Sequence, residues 1–193
     1  PGLAPFGEDD GAFFVGREAE VEEVARLILR ERLTILYGLS GLGKTSLMRA
    51  GVFPCLRRQH ILPVAVRLEH GDESPTLVEQ VRAALTREAV ARRVEAPALP
   101  ADETLWESLH RQGAIFWAPR HVPVIPLLFF DQFEEVFTIG RPTSERAKAV
   151  NALLVELAHL IEGNPPDAVR ARLDDDPDQA RRFSFGRHNY KIL

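Results

Sequence analysis

Residues 33–52 read LTILYGLSGLGKTSLMRAGV, and three textures follow one another there. The opening LTILY is apolar and β-branched, the pattern of a short buried strand. GLSGLGKT (38–45) matches the spacing G-x-x-x-x-G-K-[ST] in full. From Lys44 to about Gly51 the chain reads as a helix, stopped near Pro54. A strand, a glycine-rich turn and a helix in immediate succession form a cradle for phosphate. Gly38, Gly41 and Gly43 let the backbone turn so that successive N–H groups, those of Leu39, Ser40 and Leu42 among them, point inward. The helix N-terminus adds roughly half a positive charge. Lys44 is then placed to reach β- and γ-phosphates, the Thr45 hydroxyl to bind Mg²⁺, and Ser46 to support the α-phosphate side. A chance glycine-rich turn would need none of the flanking strand, lysine, hydroxyl and helix, and all four are present.

A phosphate loop of this kind is paired with an acid at the end of another apolar strand, and VPVIPLLFFD (122–131) supplies one. Asp131 is therefore the expected metal-side carboxylate, reaching the ion directly or through water; the plainer alternative is a helix N-cap. In many ATPases a glutamate directly follows that aspartate to orient the attacking water. Gln132 holds the place here, and a neutral amide positions water but is a poor proton acceptor. Glu134 and Glu135 are then candidates for the base, or are simply acids favoured in the first turn of a helix.

Working outward, Val21, Val24, Ala25 and Ile28 fall on one helical face between Glu18 and about Arg30. ILPVAVRL (61–68) makes a strand whose start lies at an edge or outside the ladder because of Pro63. Helices are expected over 75–92, 103–112 and about 143–162, with a Pro/Ala linker at 95–102 and an acidic loop or short helix at 173–182. Strands alternating with helices predict an α/β fold with a mainly parallel sheet. Residues 1–13, rich in Gly, Pro and acids, read as a lead-in that packs loosely or lies along the surface; 14–193 form one domain.

With 45% hydrophobic and 27% charged residues, the 193-residue chain can bury a core of ordinary size. Its 24 basic and 28 acidic residues leave a net charge of −4, and the pairs Arg57-Arg58, Arg92-Arg93 and Arg181-Arg182 are scattered, so nothing indicates a nucleic-acid partner. No apolar run approaches the roughly 20 residues of a membrane span, and the single Cys55 fits a reducing, cytoplasmic setting.

Three stretches together, GLAPFGEDDGAFFVGREAEVEEV, GLSGLGKTSLMRAGVFPCL and LLFFDQFEEVF, resemble the bacterial STAND NTPases, and within them the novel STAND group, related to the NACHT ATPases. The resemblance runs from Gly2 to about Thr138 and implies a P-loop NTPase domain of three αβα layers. It implies ATP or ADP with Mg²⁺ as cofactors; no Asn-Lys-x-Asp guanine reader is present. FVGREAE (14–20) looks like the family's element that closes over adenine, which would place Val15 and Gly16 against the base and let Arg17 shape the turn. DQFEE matches the spacing of the NACHT acidic strand end and favours Glu135 as the water-side residue, whereas Gln132 departs from the usual Asp-Glu pair. YKIL (190–193) looks like the start of the sensor strand, which in this sheet type lies between the phosphate-loop strand and the Asp131 strand. The chain on this reading lacks most of that strand and the helical and winged-helix modules beyond it, and is expected to be poorly stable and weakly active alone. Loop residues His70, Arg120 and Arg141 are further candidates to approach the nucleotide.

The implied function is an ATP-driven switch with slow hydrolysis, partnered by ATP, by further copies of itself and by repeat and effector domains. The alternatives are a nucleotide-stabilised scaffold without meaningful turnover, favoured by Gln132, and a P-loop kinase, for which no substrate lid is apparent.

Overall fold

A computed structural model describes residues 5–69, 74–138, 144–186 and 188–193. His70 and Arg141 lie outside them. Helix α1 (Glu18–Arg30) has the expected bounds and buries Val21, Ala25 and Ile28. A continuous helical rod then runs from α2 (Lys44–Ser46) through a π-helical segment (Leu47–Val52) into α3 (Phe53–Arg58). The expected stop at Pro54 does not occur. A proline inside an α-helix clashes with the carbonyl four residues back, and the wider π turn just before Pro54 relieves that crowding.

Strand β1 (Ile61–Val66) leads to α4 (Leu77–Ala91) and α5 (Leu105–His110). Both of these helices begin with a capping box, Thr76 with Glu79 and Thr104 with Glu107, which satisfies two orphan donors at each start. β2 (Phe116–Ala118) turns through Arg120 and His121, both at left-handed φ (68° and 55°), into β3 (Val122–Phe130). Then follow α6 (Glu135–Thr138), α7 (Ser144–Glu162), α8 (Asp167–Asp175), α9 (Pro177–Ala180) and β4 (Lys191–Ile192).

β3 is central. It pairs in parallel with β1 along one side, and on the other with antiparallel β2 and then parallel β4. The prolines follow from this. Val66 O accepts from Asp131 N and His60 O from Ile125 N, so even-numbered residues of β1 face β3 and Pro63 faces the open edge. Leu193 N donates to Leu128 O, so Pro126 faces the same side as β4, in the gap between the β2 and β4 pairings. Neither proline removes a ladder bond.

β4 does lie between β3 and the segment leading to the glycine-rich loop: Leu33 bridges to Ile192 in parallel. The expected buried strand at 33–37 is otherwise not formed. β4 spans two residues, so Ile35 and Tyr37 have no ladder alongside and are 73% and 90% exposed.

Each face of the sheet has its own core. Ile61, Leu127 and Phe129 pack against α1 and the 44–58 rod, through Val21, Ile28, Met48, Phe53 and Leu56. Leu62, Val64, Val66 and Leu128 pack against α4, α5 and α7, through Val81, Leu85, Trp106, Leu153 and Leu160. Alternate residues of β1 and β3 thus serve opposite layers, each fully buried Leu or Val contributing about 1.5–3 kcal/mol. This is the three-layer αβα fold of a P-loop NTPase, and its sheet directs both the glycine-rich loop and Asp131 to the same edge.

Candidate phosphate site

The loop 38–45 turns through Gly41 (φ 83°) and Gly43 (φ 74°), left-handed conformations that glycine alone adopts without strain. Lys44 arches back over it, its Nζ donating to the carbonyls of Gly38 (2.7 Å) and Leu39 (3.1 Å). The ammonium is therefore held across the mouth of the loop by its backbone. Leu39 and Leu42 are exposed, so their side chains add no apolar burial to the loop.

Thr45 and Asp131 meet across the sheet edge. The Thr45 hydroxyl donates to Asp131 Oδ1 at 3.0 Å, and an Arg49 Nη donates to Oδ2 at 3.2 Å. Asp131 is mounted on the end of β3, its N–H bonded to Val66 O, and its side chain is only 11% exposed. A single carboxylate and a hydroxyl are hard oxygen donors that suit Mg²⁺, an ion that keeps several waters and takes its remaining ligands from phosphates. Among the described residues no group of three or more His, Cys, Asp or Glu forms a metal cage of protein ligands alone.

Ser46 is buried, and its Oγ accepts from Phe6 N at 3.1 Å, so the lead-in is tied to the start of the rod. Farther along, Glu8 pairs with Arg57 (2.7 Å) and Arg92, while Arg57 also binds Glu88 (2.9 Å). Burial opposes ionisation of Glu8, but the Arg57 and Arg92 guanidiniums outweigh it and hold its carboxyl below the ordinary value. The 3₁₀ turn Glu8–Phe13 is thereby clamped to the surface of α3 and α4.

The turn at 14–17 lies against the loop. Arg17 donates to Leu42 O at 3.0 Å, and Gly16 takes φ 87° with its N–H bonded to Glu18 Oε1. That N–H bond lowers the Glu18 carboxyl pKa, and the bond that Arg17 donates to Glu20 raises that of Arg17. Val15, 75% exposed, projects beside this junction.

After Asp131 the chain leaves the strand abruptly. Gln132 is exposed at φ 60°, a left-handed conformation costly for a residue with a side chain. Glu135 begins α6 and points towards Arg67 at the end of β1 (3.9 Å), the side of β3 away from the glycine-rich loop. Glu134 is exposed in the turn before it. Arg120 stands at the opposite end of β3, which at about 3.3 Å per residue is roughly 30 Å from the Asp131 edge. It does not belong to this site.

Sequence reasoning passed over Arg49. It stands four residues beyond Thr45 on the same rod, and its spacing alone does not point to Asp131.

The family model Novel STAND NTPase 1 matches residues 1–172, a span that includes the lead-in, the glycine-rich loop and the Asp131 strand end. No curated protein and no solved structure matches the chain.

Proposed function

Because the chain belongs to the novel STAND NTPase 1 family, a nucleotide-binding module, we propose that it is the ATP–Mg²⁺ switch domain of a larger signalling or defence protein. The observation that carries the reading is the hydrogen bond from Thr45, at the end of the glycine-rich loop, to the half-buried carboxylate of Asp131. Two hard ligands are thereby pre-positioned on separate elements. On this reading the N–H groups of residues 38–45 cradle the phosphates, and Lys44 leaves the Gly38 and Leu39 carbonyls for the β- and γ-oxygens. Val15, Gly16 and Arg17 border the adenine. Thr45 and Asp131 hold Mg²⁺, which when bound neutralises charge developing on the phosphate oxygens.

Hydrolysis on this account is slow. Water oxygen bonds to the γ-phosphorus, the bond to the bridging oxygen breaks, and ADP and phosphate leave. The water's proton needs an acceptor, and the positions offered are Glu134 and Glu135, with Gln132 orienting the water through its amide. Glu135 is drawn towards Arg67 and has to reorient before it can serve. Slow turnover suits a switch, whose γ-phosphate contacts must persist long enough to bias a bistable arrangement of domains. Partners on this reading are further copies of the chain and repeat or effector modules, in the cytoplasm. No described helix is long and apolar enough to cross a membrane.

A second reading, a nucleotide-stabilised scaffold without turnover, is favoured by the exposed, left-handed Gln132 where a base is usual. Phosphate release by the full chain and by Glu135→Gln separates the two. A switch loses its slow release in the variant and keeps ATP binding. Equal silence in both proteins, with ATP still bound, overturns the switch and leaves the scaffold.

A further inference from the structure

We propose that Arg49 is a built-in counter-ion for the metal site: it holds Asp131 until a divalent cation takes the carboxylate, and so sets how much Mg²⁺ the domain requires. The inference rests on the reading of Thr45 and Asp131 as metal ligands and concerns a residue outside that reading.

Thr45 and Arg49 stand one turn apart on the same rod and divide the Asp131 carboxylate between them, Thr45 on Oδ1 at 3.0 Å and Arg49 on Oδ2 at 3.2 Å. The two partners differ in what they do there. Thr45 brings a neutral hydroxyl whose oxygen can also ligate a cation. Arg49 brings a full positive charge, which a cation at the same carboxylate would meet at close range.

The hold is also built to be released. The Asp131 side chain is 11% exposed, whereas that of Arg49 is 37% exposed, so the arginine has a route to water that the aspartate lacks. Arg49 Nε is buried without a hydrogen-bond partner, so the guanidinium is incompletely satisfied where it lies. A carboxylate largely withdrawn from water with no cation nearby is costly. Arg49 removes that cost in the metal-free protein, and the same contact makes metal binding pay for its displacement. Arg49 also lies in the π-helical segment Leu47–Val52.

Competition for one carboxylate is reciprocal: whatever Arg49 contributes to the metal-free state it subtracts from cation affinity. The test uses the full chain and a non-hydrolysable ATP analogue, with the Mg²⁺ concentration that half-saturates the metal-dependent gain in nucleotide affinity as the readout. Melting temperature is followed in EDTA and in Mg²⁺. In Arg49→Met the half-saturating Mg²⁺ concentration falls by at least about fivefold, the scale expected for removing one adjacent, partly screened charge. The same variant melts lower than wild type in EDTA and recovers most of the loss in Mg²⁺. Arg49→Lys restores the wild-type Mg²⁺ requirement, which a packing role for the guanidinium would not produce. If Arg49→Met is unfolded in EDTA, added Mg²⁺ and nucleotide refold it.

The inference is overturned if Arg49→Met has the wild-type Mg²⁺ requirement while Asp131→Asn abolishes the metal effect, or if the variant stays unfolded in Mg²⁺ and nucleotide. In the first case the metal reading survives alone. If Asp131→Asn leaves the Mg²⁺ dependence untouched, the metal reading itself fails and the inference with it.

Discussion

Replacing Gly51 with alanine tests how the rod behind the glycine-rich loop is seated. In an ordinary exposed helix the change stabilises by about 1 kcal/mol, because glycine is the more flexible residue in the unfolded chain. Here a Cβ would come within 2.4 Å of Val21 Cγ2 on α1 and 3.2 Å of the Phe14 ring. Val21 is 8% exposed and faces the core, so it cannot swing out to water. Normal carbon contacts need about 3.5–4.0 Å, so α1 must retreat by an ångström or more. Overpacking of this kind costs typically 1–3 kcal/mol, and subtracting the propensity gain leaves a net loss of up to about 2 kcal/mol. For a chain of this length that lowers Tm by up to about 8 °C. Phe14 and α1 flank the turn at 14–17, so nucleotide affinity should fall as well. The assay is a thermal melt with parallel nucleotide titration of Gly51→Ala, Val21→Ala and the double variant. The smaller side chain at 21 makes room for the methyl, so the double variant should be more stable than the two single losses sum to. A Gly51→Ala protein more stable than wild type refutes the close approach of α1 to the rod.

Three further outcomes follow from buried or strained groups. Burial pushes His110 down from its ordinary 6.5 to about 4, opposing the bond its Nδ1–H makes to Trp106 O, with His188 and Arg32 adding a smaller push. The unfolded chain therefore takes up this proton first, so His110 costs stability as pH falls from 6.5 towards 4, at most about 3 kcal/mol; urea melts of wild type and His110→Phe should differ in slope over that window and not above pH 7. Glu8 behaves as a carboxyl held low in the folded state: its contribution is present above the unfolded pKa and is lost as pH drops through the folded one. Glu8→Gln should accordingly destabilise at pH 7 and melt closer to wild type at low pH, as read by circular dichroism. Gln132→Gly removes a left-handed residue with a side chain and should raise stability by up to about 1 kcal/mol in denaturant titration, whatever it does to phosphate release.

Much of the fold is legible in the residues because local and long-range demands agree there. Glu18–Arg30 keeps one apolar face throughout, and the helix expected over 75–92 forms as α4. The GLSGLGKT spacing and the LLFFD strand end are each dictated by one chemical task, and the fold brings Thr45 to Asp131 across 86 residues of chain. What escapes the sequence has physical causes. LTILY reads as a buried strand, yet strand formation depends on a neighbour's backbone, and β4 pairs only with residues 32–34. The hairpin from β2 to β3 turns on Arg120 and His121 in left-handed conformations, with neither glycine nor asparagine to signal it. Pro54 reads as a stop, and only the π-helical segment before it lets the rod continue. At the site, Arg49 is hidden because a lone arginine on a helix carries no motif; its role depends on a carboxylate that arrives from another strand. The contact of Glu135 with Arg67 is equally invisible, since it pairs ends of β1 and α6 that only the sheet brings together.

The most direct test of nucleotide binding at this loop is equilibrium titration of the full chain and its Lys44→Ala variant with ATP in excess Mg²⁺. Lys44 lies over the loop mouth with its charge within reach of the phosphates. The variant should therefore bind at least about 100-fold more weakly, the equivalent of about 2.7 kcal/mol, while melting near the wild-type temperature without nucleotide. ATP binding of unchanged affinity in a folded Lys44→Ala protein would contradict the assignment of residues 38–45 as the phosphate site.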